Sequence, residues 1–193
     1  MGRYVLPIAT SDERQIVAGH TEGTGRASVN SIVIIDTASH RVRETDVPEA
    51  NRCVPVAFVA GHDAVLIRRS RHYGRDQSDA VGPEKPEYRL LDPGTGLSRV
   101  VNGEFWPLEG QSRPLQPTDR PNEYWAARSD HDETYTEVGR YNAKSFIFTP
   151  TMTIPNVTFR SMEMWVAEAE GWLYFVGGGD LLRYPIAENT DGR

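Results

Sequence analysis

Residues 30–42, NSIVIIDTASHRV, and residues 86–100, PEYRLLDPGTGLSRV, spell one unit twice. Each has alternating apolar residues, an Asp, a short turn and the start of another apolar strand. Alternation at period two puts successive side chains on opposite faces of a strand. Asp, Pro, Gly and Thr suit the backbone angles of the turn that joins it to the next. A chain that repeats this unit is confined to the few architectures built from copies of one small sheet.

The same grammar runs through the rest. RYVLPIAT, RQIVAGHT, NSIVIIDT and RVRETDV read as four strands; VPVAFVA, AVLIRRS, EYRLLD and LSRVV read as four more. EYWAARSDHD, TYTEVGRYNAK and SFIFTPTMTI are three strands of a third unit, whose first strand must lie in the Pro-rich WPLEGQSRPLQPT. MEMWVAEAEG, WLYFVGGG and DLLRYPI are three strands of a fourth, which ends at the polar AENTDGR. Helical periodicity is almost absent. Four antiparallel strands every 40 to 50 residues or so are the signature of propeller blades. The expected fold is an all-β propeller of about four blades, near residues 3–48, 53–102, 105–159 and 162–187, the last lacking one strand. A single blade cannot keep both of its faces dry, and radial stacking solves that problem.

SIVIIDTASHRV resembles the repeat of the YVTN and quinoprotein-like β-propellers, and YRLLDPGTGLSRV is similar to the same unit. The resemblance implies a propeller and carries over no catalytic residue, because that superfamily shares none. The Trp-Asp dipeptide of another large propeller class is absent.

An incomplete last blade leaves three ways to close a ring. The chain closes on itself as a four-bladed monomer, pairs with a second copy, or forms half of a propeller completed by a different chain. An open half-ring exposes sheet faces and a strand edge, so an identical or different partner chain is expected. The leading functional expectation is a non-catalytic scaffold or binding module that assembles into a closed ring. The alternative is an enzyme of lactonase, lyase or quinoprotein type with its site at the mouth of the central channel.

Loops between second and third strands, and those between blades, fall on one face. Three long ones lie there: HTEGTGRASVN, SRHYGRDQSDAVGPEKPE and NGEFWPLEGQSRPLQPTDRPNE. Long loops on a rigid scaffold are common binding surfaces. The candidate ligand- or partner-binding residues are therefore His20, Arg26, Arg71, His72, Tyr73, Arg75 and Trp106. His20 and His72 are read as beginning two of these loops and as sharing a pocket, or as solvated loop residues. Arg68, Arg69, Arg71 and Arg75 offer guanidinium forks to an anion, or belong to a solvated strand paired with acidic neighbours.

No catalytic constellation or cofactor motif is legible, and the five histidines show no metal-binding spacing. SDHDETYTE gathers carboxylates but lacks the Gly of a calcium loop. The single cysteine, Cys53, reads as a small buried hydrophobe. Trp106, Trp125, Trp165, Trp172, Tyr174 and Phe175 read as packing between blades. A net charge of −6 argues against a nucleic-acid partner. No apolar run is long enough for a transmembrane helix, and the N-terminus has no signal-peptide core. A cytoplasmic location is expected, a mature or truncated form of a secreted protein being the alternative.

Overall fold

The computed structural model describes residues 3–22, 29–71, 81–106, 115–129, 134–156, 163–177 and 180–186. Among them are fifteen strands, two short 3-10 turns and no α-helix. The strands form four antiparallel sheets, each a simple meander of consecutive strands. The chain divides into two compact units, Met1–Gly103 and Glu104–Arg193, with two sheets in each.

In the first unit, β1 (Arg3–Ala9), β2 (Gln15–Glu22), β3 (Val29–Asp36) and β4 (Val42–Glu44) make the first sheet. β5 (Arg52–Val59), β6 (Ala64–Ser70), β7 (Glu87–Leu91) and β8 (Ser98–Val101) make the second. One face of each meets the other. Ile8, Val17, Ile32 and Ile34 pack against Cys53, Phe58, Val65, Ile67 and Leu91, with Val47 and Ala50 of the connecting segment. The backbones of Asn30 and Ala50 bond in both directions, fastening that connection to β3.

In the second unit, β9 (Gln116–Pro117), β10 (Glu123–Ser129), β11 (Tyr135–Asn142) and β12 (Ile147–Pro155) make the third sheet. β9 lies in the Pro-rich stretch, where Pro117 limits pairing to a two-residue edge strand. β13 (Glu163–Ala167), β14 (Trp172–Gly177) and β15 (Asp180–Pro185) make the fourth sheet. Trp125, Ala127, Val138 and Ile154 pack against Val166, Leu173 and Phe175. The first strand of this last sheet is shorter than the alternation suggests. It ends at Ala167, and Glu168–Glu170 form a 3-10 turn closed by Gly171 in the left-handed region.

Two turn geometries recur. Each first-to-second strand connection carries one left-handed residue: Glu13, Asp63, Asn122 and Gly171. The third-to-fourth connection occurs three times, in an Asx-capped form. The Asp36 carboxylate accepts from the Ser39 backbone at 2.6 Å, and Asp92 from Gly94 at 2.7 Å. The Asn142 side-chain oxygen accepts from Lys144 at 2.9 Å and Ser145 at 3.0 Å. His40, Gly96 and Phe146 close the three turns in the left-handed region, each donating its N–H to the carbonyl of the capping residue.

Bulges interrupt β1, β5 and the β11–β12 pair. Each reverses the in/out parity of its strand. The β5 bulge is why Cys53 and Phe58, five residues apart, both face the first sheet.

Candidate functional site

Arg26, His72, Tyr73 and Arg75 lie outside the described residues. His20 is within β2, paired with Tyr4 and Ser31, because the β2–β3 hairpin continues as far as Glu22 opposite Val29. Arg71 follows β6, and its Nε donates to the Gly82 carbonyl at 2.8 Å. Trp106 belongs to the second unit; its ring meets Phe148 edge-on at 4.9 Å, and the Arg128 guanidinium lies 5.8 Å from its centroid. Thus His20 and Arg71 sit on different sheets, and Trp106 sits in the other unit.

Arg69 is not a solvated strand residue. β6 is an interior strand, and Arg69, 8% exposed, points toward the first sheet. It donates to the Pro48 carbonyl at 2.6 Å, the Glu49 carbonyl at 3.1 Å and the Glu87 carboxylate at 2.5 Å. Arg89 adds a second cation beside Glu87 at 3.3 Å. Partial burial pushes the Glu87 carboxyl up, but the bonds from Arg69 and Arg89 outweigh it and hold it below the usual range. Arg69 spends its donors inside the fold, so it is not presented to an external anion.

Cys53 is buried, and burial pushes its thiol up to about 12. It is a protonated core residue at neutral pH, without thiolate reactivity. Among the described residues, no three His, Cys, Asp or Glu side chains converge as a metal site would. Glu137, the described member of the acidic run, binds Arg128 at 2.5 Å.

The feature that stands out is the outer face of the fourth sheet. Val166, Leu173, Phe175, Leu182 and Tyr184 face the third sheet. Alternation therefore turns Trp165, Trp172, Tyr174, Val176, Leu181 and Arg183 the other way. Strand register aligns them: Trp165 opposite Tyr174, Tyr174 opposite Arg183, and Val176 opposite Leu181. Trp165 is 61% exposed, Leu181 66% and Val176 48%. Arg183 is stacked over Trp172, its guanidinium carbon 3.8 Å from the ring centroid. Trp165 is thus not packed between sheets as its residue type suggested, whereas Trp125 and Phe175 are. In the first three sheets, by contrast, residues on both faces of central strands are buried.

The outer face of the first sheet is more covered: Ala18 and Val33 are buried there, Ile16 and Ile35 are half-buried, and Val42 is exposed. Ile16, Ile35 and Val42 form one row across it, and Ala18, Val33 and Glu44 the next. Arg43 points inward, donating to the Pro93 and Gly94 carbonyls, which fixes Val42 and Glu44 as outward. Val42 and Glu44 are exposed, and His20 with Ser31 continues the same face.

No protein-family model matches this chain, and a search of curated proteins finds no match.

Proposed function

We propose that the chain is a non-catalytic β-propeller scaffold whose four sheets are blades, and that it assembles with a partner chain, identical or different, into a closed ring. Four consecutive meanders support the reading, as does the face-to-face packing of successive sheets within each unit. The observation that carries it is the outer face of the fourth sheet. A sheet face bearing two tryptophans, a tyrosine, a valine and a leucine is the kind of surface that marks an interaction site. Covering it stabilises the assembly through the hydrophobic effect, by about 25 cal/mol for each Å2 of apolar surface removed from water, before association costs. Tryptophan and tyrosine are also the residues that most often anchor protein interfaces.

The test is site-specific photo-cross-linking from position 165 in the cells that make the protein, with exposed position 14 as the control. The expected result is one discrete adduct from position 165 to a chain, the same or another, that co-purifies in fixed stoichiometry. Absence of an adduct, or the same adducts from both positions, contradicts the reading.

A further inference from the structure

We infer that the partner is a second copy of this chain. The outer face of the fourth sheet of one copy docks on the outer face of the first sheet of the other, and the reverse junction closes the pair. The inference rests on the assembly reading above and commits it to one occupant.

Three observations carry it. First, the two faces are chemically matched. The fourth sheet offers Trp165, Tyr174, Val176 and Leu181, and the first offers half-buried Ile16 and Ile35 and the 49%-exposed Val42. Aromatic and leucine side chains on one surface meet β-branched ones on the other, a favourable pairing across packed sheets.

Second, their charges are complementary. Exposed Glu44 stands on the first-sheet face and exposed Arg183 on the fourth-sheet face. Two fourth-sheet faces meeting each other would bring Arg183 toward Arg183, so complementarity favours the unlike pairing. Stacking on Trp172 holds the Arg183 guanidinium on that face.

Third, the area selects a closed pair over a single contact. Three strands about 4.8 Å apart and about six residues long present roughly 300 Å2. One junction therefore covers at most about 600 Å2 over both chains, which is in the range of adventitious contacts. Two junctions cover at most about 1,200 Å2, where specific interfaces begin. Unlike faces joined head to tail either close or propagate as an open chain, and a two-copy ring is the smallest closed solution.

The experiment uses the purified chain of 193 residues at high micromolar concentration, with mass measured by light scattering. The expected mass is twice the 21.6 kDa of one chain. Glu44→Lys alone and Arg183→Glu alone should each weaken dimerisation about tenfold or more, because each alters both junctions. The double variant Glu44→Lys, Arg183→Glu should recover most of that loss. Trp165→Glu should give a monomer with unchanged far-UV circular dichroism and a cooperative urea transition, which separates lost assembly from lost folding. A wild-type monomer overturns the second-copy inference while leaving the broader partner reading to the cross-link from position 165. A dimer indifferent to Trp165→Glu and to both charge reversals overturns it as well, because its interface lies elsewhere. Open, concentration-dependent oligomers overturn the closed pair.

Discussion

Single positions show where this fold tolerates change and where it does not. His40 and Phe146 occupy the same left-handed position in the first and third copies of one turn. A left-handed L-residue costs about 1–2 kcal/mol, and glycine removes that cost at about 0.5–1 kcal/mol of extra chain entropy. His40 is exposed, so His40→Gly is expected to raise stability by about 0.5 kcal/mol. Phe146 is buried, its ring 5.0 Å from that of Phe105. Phe146→Gly should therefore lower stability by about 3 kcal/mol, despite the relieved backbone. Gly139 allows no replacement at all: a Cβ there would lie 2.1 Å from the Thr149 carbonyl oxygen and 2.7 Å from the Pro150 Cα. Gly139→Ala should destabilise by at least about 2 kcal/mol, because rigid β12 backbone must move. Urea denaturation of the three variants checks all of these. The role of Asp36 and Asp92 was legible in the sequence because Asp followed by Thr or Pro-Gly is a recognised turn signal. That of Asn142 was not, because NAKSF carries neither the Asp nor the Pro-Gly that marks the other two copies.

At the scale of elements, the turns titrate and the sheets are locked in pairs. Hydrogen bonds from Ser39 hold the Asp36 carboxyl below its ordinary 3.8, and bonds from Thr95, with the Gly94 backbone, do the same for Asp92. A folded-state pKa below the unfolded one contributes stability that is complete above the unfolded value and lost as pH falls through the folded one. Stability of the wild type should therefore drop below about pH 3.8. Asp92→Asn keeps the turn acceptor without the titration, so its urea midpoint should change less between neutral and acidic pH. In the second unit the lock is Gln116. Its amide donates to the Val166 carbonyl and accepts from the Val166 N–H at 2.7 Å, joining the third sheet to the fourth. Arg140 and the Trp125 indole both donate to Glu168, at 2.7 and 3.1 Å. Gln116→Ala leaves both Val166 backbone groups without these partners and should lower stability by about 1–3 kcal/mol, read from the thermal midpoint. Strand positions were readable from alternation, but facing was not. The bulges in β1, β5 and β12 reverse parity without any periodic mark, and they decide which residues of those strands reach a core.

For the molecule as a whole, the repeated strand-and-turn unit announced an all-β chain of small sheets, and four sheets are present. The candidate site was less legible. Sequence reasoning looked to long loops because histidine, arginine and glycine collect there. It read Trp165 as core because tryptophan is usually packed, and composition cannot tell a covered sheet face from an uncovered one. The available signal was positional: Trp165, Tyr174, Val176 and Leu181 share one parity in the last, three-stranded unit, opposite to that of Val166, Leu173 and Phe175. Assembly through the fourth sheet requires that this face be covered in the assembled protein. Hydroxyl-radical footprinting of Trp165 reads this directly when the protein isolated from its native cells is compared with an unassembled Leu181→Glu variant. Slow oxidation of Trp165 is expected in the native protein and fast oxidation in the variant. Equally fast oxidation in both would contradict it.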